Sequence, residues 1–220
     1  MKKLKRIASI FVIGVILLVV GGRVGVGLMW KAALEKYGEK VTEVPVTVGR
    51  VWVNPFAGTI QIGSLEVGNP KGFKSPRALI ARQVNLQVEW RSLFASKTVI
   101  RSLAINGLEV TYERALLQSN LGVISKTVRS KINSPETLSD RLRRQVQADE
   151  VLIAEGKVNL SATLLGGRGV GLSLPEIRMR DLGKDADGIT IAELASEILR
   201  ALLENINPLA PSEQAGPETG

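Results

Sequence analysis

Gly58-Thr-Ile-Gln-Ile-Gly-Ser-Leu-Glu-Val-Gly-Asn-Pro-Lys-Gly-Phe73 decides how this chain is read. Apolar residues recur in it at every second position, single glycines interrupt them, and an Asn69-Pro70 turn stops them. That is the pattern of half-buried antiparallel strands. The same reading extends outward over Val44 to Tyr112.

Upstream, Val44-Pro-Val-Thr-Val48 keeps one apolar face, and the phase shifts at Gly49-Arg50 before Val51-Trp52-Val53. A glycine where the alternation changes register marks a bulge, which bends and twists a strand. Gly63 stands in the same way between Ile60/Ile62 and Leu65/Val67, so that the two pairs need not face the same way. Gly107 repeats the device between Leu103/Ile105 and Leu108/Val110/Tyr112. The letters echo one another: Ile62-Gly-Ser-Leu-Glu-Val67, Ile105-Asn-Gly-Leu-Glu-Val110 and, more faintly, Ile153-Ala-Glu-Gly-Lys-Val158.

Val84-Asn-Leu-Gln-Val-Glu-Trp90 alternates most cleanly, with Val84, Leu86, Val88 and Trp90 on one face and Asn85, Gln87 and Glu89 on the other. Such a sheet has one apolar and one wet face. Asn69 to Phe73 and Ser75-Pro76 supply turns between strands. The expected fold is therefore mainly β (α+β), a curved antiparallel meander or groove with a few accessory helices.

Residues 115–150 read as a helical excursion, with a helix over 135–148 carrying Leu138, Leu142 and Val146. Strands are expected again at Val151–Ala154, Lys157–Leu165 and Val170–Arg180. A last helix over 190–206 starts on the capping box Thr190-Ile-Ala-Glu193 and lines up Ile191, Leu194, Ile198 and Leu202. The tail 207–220 is expected to be disordered.

At the other end, residues 1–6 are basic and 7–30 form an apolar stretch, unbroken from Ile7 to Val20. As a helix, 7–30 would span about 35 Å, enough to cross a bilayer. No Ala-x-Ala type cleavage site follows it, so it reads as an uncleaved anchor. Lys2, Lys3, Lys5 and Arg6 would hold the N-terminus in the cytoplasm and send the 44–206 domain across the membrane, after a linker helix over 31–43 that Gly38 ends. In a Gram-negative cell this means a single-pass inner-membrane protein with a periplasmic domain.

The formal net charge is +8, but four of those charges precede the anchor, and the remainder is ordinary. With only 4% aromatic residues, no stacking platform for nucleic acid is expected. There is no cysteine and no histidine, which removes thiol and imidazole catalysis, disulfides and most zinc sites. Gly166 to Gly171 lacks the Lys-Ser/Thr ending of a phosphate loop and reads as a hairpin turn. Asp181, Asp185 and Asp187 do not make a calcium loop. Asp149, Glu150 and Glu155 read as surface carboxylates. No catalytic residue, metal site or cofactor is expected.

What remains is the apolar side of the sheet: Val44, Val46, Val48, Ile60, Ile62, Val84, Leu86, Val88, Trp90, Leu103 and Ile105. Two readings stay open. The 135–148 and 190–206 helices seal this side as an ordinary core, or it curls into a trough open to an acyl chain, whose methylenes contribute about 0.8 kcal/mol each when buried.

The pattern resembles the AsmA-like proteins of diderm bacteria, in a short form with a single N-terminal anchor. The resemblance rests on the anchor, on Val51-Trp-Val-Asn-Pro-Phe-Ala-Gly-Thr-Ile60, and on Leu65-Glu-Val-Gly-Asn-Pro-Lys-Gly-Phe73. It continues through Val84 to Phe94, Ile105-Asn-Gly-Leu-Glu-Val-Thr-Tyr-Glu113 and Asn120-Leu121. It covers residues 1–125 and, more weakly, 150–206. The resemblance implies a non-enzymatic periplasmic β-groove, related to the bridge-like lipid transfer proteins, with phospholipid as cargo and a role in transport or outer-membrane lipid homeostasis. A trough this short cannot bridge the envelope, so it implies stacking with itself or with another envelope protein. The alternative is a structural or assembly component that docks by its sheet edge or face.

Overall fold

The computed structural model of the protein describes residues 25–115, 118–133, 144–160, 170–184 and 187–209. It is mainly β, with eleven strands in one curved half-barrel sheet and three α-helices among the described residues. Most strands are short because long strands are broken in the middle. β1 (Val46–Val48) and β2 (Val51–Asn54) are successive pieces of the first edge. β3 (Thr59–Ile62) and β4 (Leu65–Gly68) are pieces of the next, with β3 paired to β2 and β4 to β1. β5 (Arg77–Val88) and β6 (Lys97–Tyr112) run through as the long central pair.

After β6, a small ribbon of β7 (Arg114–Ala115) and β8 (Gln118–Ser119) leads into helix α2 (Asn120–Asn133). β9 (Gln145–Ala154) and β10 (Gly156–Leu160) then lie beside β6, both parallel to it. β11 (Val170–Leu174) and β12 (Ile177–Leu182) return antiparallel on β10 and β9, and β13 (Ile189–Thr190) adds a short pairing to β9. The expected all-antiparallel meander therefore holds only up to β6. A parallel strand requires a crossover, and the segment containing α2 supplies it.

The breaks fall on one line. Ile62 pairs with Val84 and Leu65 with Ala81; Ala81 pairs with Leu108 and Gln83 with Asn106. Asn106 pairs with Ala154 and Glu109 with Lys157; Ile153 pairs with Ile177 and Gly156 with Leu174. A crease thus crosses the sheet through Gly49, Gly63, Arg82, Gly107, Glu155 and Pro175. Gly107 (φ 62) and Glu155 (φ 55) take the left-handed backbone there.

On every strand the residues flanking the crease stand three apart: Val48/Val51, Ile62/Leu65, Ala81/Val84, Ile105/Leu108, Ile153/Gly156 and Leu174/Ile177. In an unbroken pleat such a spacing puts the two on opposite faces. Here the extra residue is absorbed by the bulge, and all the apolar ones join a single core. Ile60/Ile62 and Leu65/Val67, which the phase shift at Gly63 leaves free to face different ways, stay on the same side: the bulge keeps them there while bending the sheet around it.

Three helices cover that side. α1 (residues 25–42) contributes Leu34, Tyr37 and Val41, α2 contributes Leu121, Ile124 and Val128, and α3 (Ile191–Ile206) contributes Leu199, Leu202 and Ile206. At Thr190 the hydroxyl accepts from the Glu193 N–H at 3.1 Å and the Glu193 carboxylate accepts from the Thr190 N–H at 2.6 Å, the capping box legible in the sequence.

Other boundaries move. The linker helix expected over 31–43 runs over residues 25–42, straight through Gly38, and the first strand begins at Val46, not Val44. Of the helix expected over 135–148, residues 135–143 lie outside the described part, and Gln145 to Ala148 are strand. The basic residues 1–6, residues 7–24 of the expected anchor, residues 161–169, Asp185 and residues 210–220 also lie outside it; residues 25–30 of the expected anchor belong to the first helix, and Asn207–Leu209, expected in the disordered tail, form a 3-10 turn. Among the described residues no helix is long and apolar enough to cross a membrane.

Candidate functional site

Alternation gives the sheet two chemically different faces. One carries Thr47, Glu66, Glu109, Lys157, Gln61, Asn85, Gln87 and Arg178, in register with one another across the strands. Here oppositely charged neighbours pair: Arg77 with Glu66 at 2.9 Å, Arg82 with Glu109 at 2.6 Å, and Arg178 with Glu150 at 2.7 Å. A shallow hollow of about 260 Å³ lies along the crease, lined by Trp52, Gln61, Ile62, Gly63, Arg82 and Gln83.

The eleven residues expected to line a trough belong, with one exception, to the other face. Val44, Val48, Ile62, Val84 and Val88 are buried, and Val46, Ile60, Leu86, Leu103 and Ile105 are half-buried against the core. Trp90 is the exception and a correction: β5 ends at Val88, and Trp90 opens a 3-10 turn (Trp90–Phe94) where half of its surface is exposed (50%). The upper half of the apolar face, toward the 69–76 turn, is sealed by α1, α2 and α3. In the lower half, toward the turns at 55–58 and 89–96, Val53, Ile60, Leu86, Leu103 and Ile105 form an adjoining half-buried patch. Leu194 and Ile198 of α3 pack near its Leu86–Leu103 side.

No family model and no curated protein matches this chain. The site is therefore argued from its own geometry.

Carboxylates weighed as acid–base candidates are ion-paired to arginines or left apart. Asp149 accepts from Arg101 at 2.9 Å and from the Gln147 amide at 2.7 Å. Partial burial works to raise its pKa, but the hydrogen bonds from Gln147 and Arg101 and the nearby cations outweigh this and hold it below the ordinary value. Glu155 sits in the crease, exposed. Asp181 bonds Lys184 at 2.9 Å, and no group of three acidic side chains among the described residues gathers as a metal site.

Two features were not legible in advance. The first is a buried polar cage at the upper end of the sheet. Glu113 is 4% exposed, and its carboxylate accepts from the Lys74 N–H (3.0 Å), the Ser75 N–H (3.1 Å) and the Asn69 amide (3.2 Å). The second is the guard on the first edge. The free side of β1 presents the Val48 backbone outward; its N–H donates to Glu35 Oε1 at 2.9 Å and its carbonyl accepts from Lys31 Nζ. Both side chains come from α1, which lies along that edge: Gly38 sits on the Val46 side chain and Gly27 on the Val51 carbonyl. Eleven residues of helix and five of strand each cover about 16 Å, so the two run side by side in opposite directions. Strand addition at β1, one route by which an edge docks a partner, is thereby closed off.

Proposed function

We propose that the protein is a non-catalytic, AsmA-like cell-envelope component, anchored in the inner membrane with its sheet in the periplasm. It handles phospholipid acyl chains for transport or for outer-membrane lipid homeostasis, alone or stacked with another envelope protein. The reading is supported above all by the half-buried aliphatic patch of Val53, Ile60, Leu86, Leu103 and Ile105, which continues from the sealed core to the lower rim of the sheet. An acyl chain in contact with it would replace water on aliphatic side chains and demand no polar partner. The sealed upper half limits the length held to the lower strands, well short of a continuous conduit.

A photoreactive phenylalanine analogue placed at Leu86 in living cells tests this, with the same residue at Asn85 as control. The two neighbours face opposite sides of β5. Phospholipid adducts at Leu86 and not at Asn85 are expected. Equal yields, or none at either, would overturn lipid holding.

A further inference from the structure

The lower rim of the sheet is apolar and exposed. Phe56, at the tip of the β2–β3 hairpin, is 95% exposed, and Phe94, in the β5–β6 turn, is 86% exposed. Trp90 and Leu93 in the same turn are about half exposed. The two turns are neighbours: the Val88 N–H donates to the Gly58 carbonyl at 2.7 Å, and the Gln87 amide to the Ala57 carbonyl at 2.7 Å. Isolated exposed apolar side chains are ordinary on a protein surface, but adjoining aromatic ones at one end of a fold mark a contact surface.

The start of α1 joins this rim. Gly38 lies at Val46 and Gly27 at Val51, so Gly25 and Val26 lie toward Val53 and the 55–58 turn. Over residues 26–30 only Gly27 is buried; Val26, Leu28, Met29 and Trp30 are all exposed. Successive helical positions point about 100° apart, so this turn is apolar nearly all round, a property of helices in lipid and not of helices lying on a soluble core. The first cation above it, Lys31, already bonds the sheet edge. The 24 residues that precede Gly25, with fourteen apolar or small residues from Ile7 to Val20, connect to the described chain at this same rim.

Charge at the rim has the sign a bilayer favours. Arg91 stacks over Trp90 at 5.3 Å, and Arg144 holds the turn by donating to the carbonyls of Leu93 and Ala95. The local carboxylate, Glu89, is occupied by Arg101. Trp beside Arg at the edge of an apolar patch is the arrangement found at the level of lipid headgroups.

We propose that Phe56, Trp90, Leu93 and Phe94, with the first turn of α1, rest in the headgroup region of a phospholipid bilayer. The strands stand up from the membrane, and the polar 69–76 turn is the end farthest from it. The twelve residues of β5, bent at the crease, place that turn at most about 40 Å above the rim. The half-buried patch of Val53, Ile60 and Leu86 then opens directly onto the lipid surface. This inference shares with the proposed function only the premise of a membrane-held chain.

The chain has no cysteine, so single labels are unambiguous. Full-length Phe94→Cys, Phe56→Cys and, at the far end, Lys71→Cys would each carry an environment-sensitive fluorophore. They would be reconstituted in vesicles of phosphatidylethanolamine with a minor share of phosphatidylglycerol. Lipids brominated near the headgroup are expected to quench the labels at 94 and 56 severalfold more than the label at 71. Equal quenching at all three sites would overturn the proposal, as would a blue-shifted, unquenched label at 94, which would reveal a protein partner on the rim. Phe56→Ser/Phe94→Ser, both fully outside the core, is expected to reduce quenching of Trp fluorescence by the same lipids; unchanged quenching would also count against it. Rim quenching without Leu86 adducts would leave the docking intact and remove lipid holding, and the converse would do the reverse.

Discussion

The side-chain amide of Asn120 donates to Asn69 Oδ1 at 2.8 Å, joining the first turn of α2 to the β4–β5 turn across 51 residues of sequence. Asn120 also donates to the Thr111 carbonyl at 2.7 Å and accepts from the Glu113 N–H at 3.1 Å. Asn69 in turn donates to Glu113 and to the Ser75 carbonyl. Three residues that entered the sequence argument only as separate motifs thus make one buried network, with the Glu113 carboxylate at its centre. Because every bond inside it is made, the cage fixes where α2 begins and holds the 69–76 turn against β6.

Glu113→Ala removes the acceptor of the Lys74 and Ser75 N–H groups at a part-buried turn. Losing these charge-assisted bonds, with water able to reach the donors in part, is expected to cost about 1–3 kcal/mol. Urea unfolding of the full chain in detergent micelles measures it. Limited trypsin digestion reads the same change locally, with faster cleavage after Lys71 and Lys74. An unchanged cleavage rate would mean that the turn is held by something other than Glu113.

Lys31→Ala/Glu35→Ala uncovers the Val48 backbone on the β1 edge. Each lost bond is expected to contribute about 1 kcal/mol to stability. The larger effect is on association, because an uncovered edge is a template for another strand. Sedimentation of the detergent-solubilised variant should show more concentration-dependent self-association than the natural chain does under the same conditions.

Asp149 carries a depressed pKa in the folded state, so its contribution to stability is present above the unfolded value near 3.9 and is lost as pH falls through the folded one. Asp149→Asn is therefore expected to lower the unfolding midpoint slightly at pH 7 and to converge on the natural chain as pH falls through the depressed folded-state value. The effect is small because Arg101, its partner, is more than half exposed and the pair is screened by water. A midpoint difference that grows on acidification would contradict this assignment.

Local chemistry was legible, and long-range pairing was not. Thr190 and Glu193 announced α3 because a capping box is written within four residues. Leu121, Ile124 and Val128 also carry helical spacing, and α2 falls inside the helical excursion expected over 115–150, although the helix delimited there, over 135–148, starts at Ser134-Pro135 beyond it. The helix expected over 135–148 takes in the start of β9, although Gln145-Val146-Gln147-Ala148 alternates and the structure buries Val146 and Ala148. Nothing near β9 in sequence says that it will lie parallel to β6, since that choice is made by which apolar face α2 and α3 together can cover. Trp90 was assigned to the sheet face by parity, whereas the chain leaves the strand after Val88 and the parity no longer applies. The bulge glycines were found by their phase shift, but the facing of the two halves depends on counting the absorbed residue.

That count supplies the sharpest test of the crease. On β6 the interval from Ile105 to Leu108 contains Asn106 and Gly107, and the bulge absorbs one of them, so that Leu108, Val110 and Tyr112 return to the core side. Deleting Gly107 while β5 and β10 keep their own crease residues leaves the upper half of β6 one residue short. Held against the same partners, Leu108 takes the bulge position, Glu109 and Thr111 take the core-facing places of Leu108 and Val110, and Val110 and Tyr112 turn toward the polar face. Leu108, Val110 and Tyr112 are at most 5% exposed, and a one-residue slip displaces the whole set at once. Gly107→Ala keeps the count and adds only local strain: a Cβ at φ 62 would lie 2.9 Å from Arg82 Cδ, on a side chain free to move. The substitution is expected to cost about 1–2 kcal/mol, and the deletion to abolish cooperative unfolding altogether. Circular dichroism melts of the two variants discriminate, because a crease that were merely flexible would tolerate the deletion as well as the substitution.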